Sequence, residues 1–271
     1  MTQFAAPLHT WDEDPEAASL LLSLGRVSHD ALIVATPQLL SALEEEWGQP
    51  RASVKLSFLP GIPAPTRPGH DDRLASYERE GVNILVARGH SALHEGASAH
   101  AVTALARLAA HAGVRGALLA TTSHPLKSDP QARTHVISDH ISLGGVPLFP
   151  SPVPVVAQWD QALVSALNNL DGVGAPIVAA LSSGPLAPGP AERALLSGMG
   201  ADAVVFDTVA PGMLLASRGV RTVALAFSQV ESQTLEQVSA QDEARAATLL
   251  RACQVLLAAL QEEALATKDA A

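Results

Sequence analysis

The strongest constraint on this chain is a repeated pair, a short apolar run followed by a stretch with helical spacing. ALIVAT (31–36), GVNILVA (81–87), GALLATT (116–122), PIVAALSSG (176–184), ADAVVFD (201–207) and VRTVALAFS (220–228) are such runs. Runs this short without polar alternation suit strands buried on both faces, which need helices to cover them. Helical patterns lie between and after them: LLSALEEEW (39–47), AHAVTALARLAAHAG (99–113), QWDQALVSALNNL (158–170), AERALLSGMG (191–200), PGMLLASRG (211–219) and a long C-terminal stretch. The order predicts an α/β fold with a central sheet wrapped by helices. RLASYERE and VNILVAR (73–80 and 82–88) read as a hairpin across Gly81, and VKLSFLP (54–60) and THVISDHISL (134–143) as further strands. PEAASLLLSLGR (15–26) opens the helical set. With no composition break along the chain, residues 15–271 are expected to form a single domain behind a flexible N-terminal tail, 1–14.

Composition narrows the function classes. Among 271 residues, 48% are hydrophobic and 16% charged, enough for a sizeable core and against global disorder. Aromatics are only 3%, so that core must be built mainly from Ala, Val and Leu. A net charge of -10 argues against broad binding to nucleic acid or to an anionic membrane, yet allows a local basic pocket. Cys253 is the only cysteine, which excludes an intrachain disulfide and a cysteine zinc site; within LLRACQVLLAAL it reads as a buried thiol. No uninterrupted run of about 18 apolar residues is present, so no membrane span is expected. The N-terminal stretch has neither the basic start nor the apolar centre of a signal peptide, and a cytoplasmic location is expected.

The stretch RGHSALHEGASAH (88–100) places three histidines and a glutamate just past an apolar run. Polar residues at a strand end often line a site in α/β proteins. His90 and His94 are four apart, a spacing that can hold a metal on a helix, with His124, His135 or His140 approaching through folding. The motif follows a strand, however, which makes metal the minority reading. An anionic or sugar-like ligand suits histidine's adjustable charge, and ordinary pocket-lining side chains are the plain alternative. The proline-rich loop GIPAPTRPGHDD (61–72) is a natural rim for a site, although a histidine such as His70 is more often exposed there. Thr36 ahead of Pro37, and Asp207 ahead of a helix near Pro211, read first as capping residues. A Ser91, His94 and Asp139 set lacks the G-x-S-x-G context of a serine hydrolase.

Three segments in order, RPGHDDRL (67–74), GHSALHEG (89–96) and GMGADAVVFDTVAPGMLLASRGVRTVALAFS (198–228), resemble the trimeric purine nucleoside phosphorylase family, which includes methylthioadenosine phosphorylases. SDHISL (138–143) and SSGPLAPGPAE (182–192) extend the likeness over residues 29 to 260. The resemblance implies a single domain with a mixed central β-sheet flanked by helices. It also implies attack of inorganic phosphate on a purine nucleoside, releasing free base and pentose 1-phosphate, without a metal or organic cofactor. A homotrimer with its sites near subunit interfaces is implied as well. Carried over by motif, Thr36, His70, His90 and Thr122 would bind phosphate. His94 would meet the sugar, and Glu95, Pro188, Phe206 and Asp207 would line the nucleoside, with His90 and His94 as the catalytic pair.

The same alignment shows departures from the family pattern. His90 stands where the family has a phosphate-binding arginine, Ala92 where it has a histidine, and His94 where it has a tyrosine. The base glutamate falls on Pro188 and the neighbouring aromatic on Ala187. A phosphate-binding serine falls on Asp207, a negative charge that should repel phosphate. The purine asparagine falls near Val230, with Gln229 or Ser232 as stand-ins, and the ribose histidine near Ala240. Two functions are therefore expected in competition: a divergent phosphorylase, or a non-catalytic relative that binds a metabolite or a partner subunit.

Overall fold

The computed structural model describes residues 14–127, 134–144, 147–182, 184, 188–229 and 235–269. The tail ahead of Asp14 lies outside them. In chain order the first elements are α1 (Asp14–Leu24), β1 (Ala31–Val34), α2 (Pro37–Trp47), β2 (Ala52–Val54), β3 (Leu74–Arg79) and β4 (Val82–Ala87). Then come α3 (Ala99–Val102), α4 (Ala104–His111), β5 (Gly116–Pro125), β6 (Thr134–Ser142), α5 (Gln161–Asn168) and β7 (Val173–Leu181). The last are α6 (Pro190–Gly198), β8 (Ala203–Val205), α7 (Val209–Ser217), β9 (Arg221–Ser228) and α8 (Leu235–Asp269).

The described strands form one mixed sheet in the order β2-β3-β4-β1-β5-β8-β7-β6-β9. Because β5 also pairs with β9, the second half of the sheet closes on itself. Strands β1, β4, β5 and β9 are parallel, so their carboxyl ends meet on one side. Their side chains are apolar and almost fully buried, as in Ile33, Leu85, Leu118 and Val223. Helix α8 seals one face with Leu249, Ala252, Cys253, Leu256 and Leu260, all buried. Burial pushes the Cys253 thiol pKa up, which leaves it inert. Among the described residues no helix is long and apolar enough to cross a membrane.

The expected hairpin is present, and its turn has a local cause. Glu80 (φ 51) and Gly81 (φ 80) both take positive φ, the backbone that a two-residue turn needs to match strand twist. Two expectations need correction. VKLSFLP is not one strand: β2 ends at Val54 and a 3-10 turn follows at Leu56–Phe58. The Ser57 N–H and hydroxyl donate to the Asp72 carboxylate at 2.9 and 2.6 Å, pulling the chain out of the sheet. The helix expected over 99–113 breaks at Thr103, whose hydroxyl donates back to the Ala99 carbonyl at 2.7 Å and loosens the turn.

Candidate functional site

A cavity of about 570 Å³ opens at the carboxyl ends of the parallel strands. Thr36 follows β1, Thr122 lies on β5, Phe206 and Asp207 follow β8, and Phe227 closes β9. The proline-rich loop brings Arg67 and His70 to the rim, and α8 adds Asp242 and Arg245. Six residues expected at the site therefore share one wall: Thr36, His70, His94, Thr122, Phe206 and Asp207.

At its floor lies a charge cluster. The Asp207 side chain is only 5% exposed and accepts from Arg67 (2.8 Å), Thr121 (2.6 Å) and Thr208 (2.8 Å). His90 Nε2 sits 3.0 Å from the Asp207 carboxylate and 3.0 Å from an Arg67 nitrogen. That nitrogen can serve one of them at a time, donating to Asp207 when protonated or accepting from Arg67 when not. Burial alone would raise the Asp207 pKa; His90, Arg67 and Thr121 together hold it well below the ordinary carboxylate range. Asp207 is thus a buried anion and not the helix cap expected from its position. Helix α7 begins earlier than expected, at Val209, with Thr208 in the capping position.

Glu95 fixes the loop that carries Arg67. Its carboxylate accepts from the Thr66 N–H (3.0 Å) and hydroxyl (2.5 Å) and from the Ala92 N–H (2.6 Å), and lies 3.4 Å from Arg67 Nε. Burial raises the Glu95 pKa, but these donors outweigh it and keep the group ionised. Glu95 is not among the cavity-lining residues; it holds the turn that presents His94. Gly89 makes the close approach of the loop possible. A Cβ there would lie 2.9 Å from the His70 Cβ and 3.0 Å from the Asp71 backbone.

His70 is a neutral donor. Its Nδ1 accepts the His90 N–H at 3.2 Å, which leaves the proton on Nε2. Burial pushes its pKa down to about 3, with His90 and Arg67 adding to the effect. Burial also lowers the pKa of His29 and His140. Each of these groups takes up its proton at lower pH in the folded state than in the unfolded chain, where the ordinary value is 6.5, so stability should fall as pH drops through that point. The urea midpoint should be lower at about pH 5 than at about pH 7.5, and His70→Asn should shrink the difference. Equal midpoints at the two pH values would contradict the placement of these rings.

The remaining expected residues fall as follows. Thr36 stands at the start of α2 without a side-chain cap hydrogen bond, so its hydroxyl is left to the cavity. His94 and His124 meet the Phe206 ring edge-on, at 5.7 and 5.3 Å between centroids. His90 lies beside a small apolar cavity, behind Arg67 and Asp207. Pro188 is buried and does not line the large cavity. Ala240 is exposed, and Ala187, Val230 and Ser232 lie outside the described residues. Gln229 is at the cavity. The serine-hydrolase set does not assemble: Ser91 faces the Pro63 carbonyl, and the Asp139 side chain is 76% exposed. Among the described residues no three of His, Cys, Asp and Glu come together to hold a metal. The charged residues that sequence reasoning missed are Arg67, Asp242 and Arg245; the only signal for Arg67 was a lone cation beside PGH in a rim loop.

The chain is 30% identical over 184 residues to the purine nucleoside phosphorylases of Mycobacterium tuberculosis and Mycobacterium bovis, covering 67% of this chain and 68% of each relative. Isoform 2 of the Schistosoma mansoni purine nucleoside phosphorylase, solved with cytosine and ribose-1-phosphate, superposes with a TM-score of 0.74 at 21% identity. That match covers 90% of this chain and 95% of the other. The Schistosoma enzyme with hypoxanthine gives 0.71 at 18% identity, over 91% and 95% of the two chains. No protein-family model matches the chain.

Proposed function

We propose a function from one premise: the chain belongs to the purine nucleoside phosphorylase family. The cavity takes a purine nucleoside and transfers its pentose to inorganic phosphate, as a divergent phosphorylase. The observation that carries this reading is the convergence of Thr36, His70, His94, Thr122, Phe206 and Asp207 on one cavity. Phe206, flanked by the His94 and His124 rings, offers an aromatic wall for the base. His94, whose Nδ1 is buried without a hydrogen-bond partner, faces the sugar. Thr36, Thr122 and the neutral His70 supply donors for phosphate, with the Arg67 and His90 pair behind them. Donors set in advance around developing charge account for much of the rate in such transfers.

The step breaks the bond from the anomeric carbon to the base nitrogen. A phosphate oxygen takes that carbon, and the departing base takes a proton. Two guanidiniums, Arg67 and Arg245, line the cavity beside two carboxylates, Asp207 and Asp242, so the wall carries no excess of positive charge. Phosphate affinity is therefore low. The test is release of free base from inosine, guanosine and adenosine by the wild-type protein. Release should require phosphate and go on rising through the millimolar range of phosphate. Release that ignores phosphate contradicts the proposal.

The ion pair between Arg67 and Asp207 favours a second reading, a non-catalytic member that binds the nucleoside and leaves it intact. Nucleoside binding with no release at any phosphate concentration would establish it. A homotrimer belongs to the same proposal as the first. The exposed run of Val153, Val155 and Val156 gives it an apolar surface to bury, and light scattering of the purified protein decides it.

A further inference from the structure

The Asp207 carboxylate is surrounded the way a bound oxyanion would be. Two hydroxyls, from Thr121 and Thr208, one guanidinium and one imidazole converge on its two oxygens. It also sits just ahead of helix α7, whose free N–H groups favour negative charge. Arg67 is the only member of the cluster that both faces the cavity and touches Asp207 as a permanent cation. Its guanidinium is held on both sides, by Asp207 at 2.8 Å and by Glu95 at 3.4 Å. His90 Nδ1 is buried and has no hydrogen-bond partner, so the ring is held in the cluster through Nε2 alone.

We propose that Asp207 is a built-in competitor for the oxyanion substrate, and that Arg67 is the cation for which the two compete. Phosphate entering the cavity meets donors already turned toward a carboxylate of the protein itself. To engage Arg67 it must displace Asp207 from one guanidinium nitrogen, or bind outside the cluster on Thr36, His70 and Thr122 alone. Either route costs affinity, because the second negative charge stays within the same buried pocket. Asp207 thus sets specificity against a dianion, while the nucleoside half of the cavity is unaffected. The inference rests on the phosphorylase reading but is read out by phosphate alone.

The experiment is calorimetric titration of inorganic phosphate, without nucleoside and at constant ionic strength. Wild-type protein should bind phosphate with a Kd of about 1 mM or weaker. Asp207→Asn keeps the side-chain shape, removes the charge, and should bind at least about tenfold more tightly. Asp207→Ser repeats the test with a smaller neutral side chain, so that misfolding of one variant is not mistaken for an answer. Adding Arg67→Gln to either variant should abolish the gain. Micromolar binding by the wild type overturns the proposal without any variant. So does a folded Asp207→Asn or Asp207→Ser protein that binds no more tightly, or a gain that survives Arg67→Gln. Failure of wild-type nucleoside cleavage would bear on the proposed function and leave these outcomes unchanged.

Discussion

Arg67→Met should lower folding stability by about 3–5 kcal/mol, the cost of stranding a buried charge by removing its partner. Asp207 is 5% exposed and its one permanently charged partner is the Arg67 guanidinium at 2.8 Å. Methionine fills the same space but leaves the carboxylate with two hydroxyls and a histidine. The size of the effect reflects the desolvated anion and not the worth of the pair, so removing both charges should recover most of it. Arg67→Met combined with Asp207→Leu is therefore expected to unfold at a urea concentration much closer to wild type than Arg67→Met alone. A single-variant loss below about 1 kcal/mol would mean that the pair behaves like a surface ion pair and that water reaches Asp207.

Trp159→Ala should cost about 3–5 kcal/mol, as large-to-small changes of a buried aromatic do. Trp159 is 2% exposed, and its ring edge lies against Gly212 in the middle of α7. A Cβ on Gly212 would stand 2.6 Å from the ring, so helix and ring are in contact with no space between them. The contact fixes the depth of α7, and with it the position of Asp207 and Thr208 just ahead of the helix. Beyond the loss measured by urea unfolding, the variant should weaken nucleoside binding without any change in cavity-lining residues. A loss under about 1 kcal/mol would contradict the packing described for this ring.

Much of the scaffold is legible in the sequence because its signals are local. A buried strand needs only a short apolar run, and the Glu80–Gly81 turn needs only two residues that tolerate positive φ. The motifs around His70, His90 and Glu95 are likewise contiguous, and they land together because each directly follows or faces a strand end. What was illegible depends on partners far along the chain. Asp207 looks like a cap when only its neighbours are read; its role is set by Arg67, 140 residues away. Arg67 in turn reaches the floor because Glu95, distant in sequence, pins the Thr66 backbone. The break at Thr103 and the turn at Ser57 come from a few hydrogen bonds to side chains that overrule a helical and a strand-like pattern.

The decisive property of the cavity is whether it takes a nucleoside. Equilibrium binding of inosine to the wild-type protein and to Phe206→Ala, followed calorimetrically in phosphate-free buffer, measures this. Phe206 lies between the His94 and His124 rings on the cavity wall, so its removal takes away the stacking surface and spares the Arg67–Asp207 cluster. Binding by the wild type, weakened at least about tenfold in the variant, is the predicted result, in line with about 1–3 kcal/mol for stacking a base on an aromatic side chain. No binding by folded wild-type protein, or binding that Phe206→Ala leaves untouched, would contradict the assignment of this cavity as the nucleoside site.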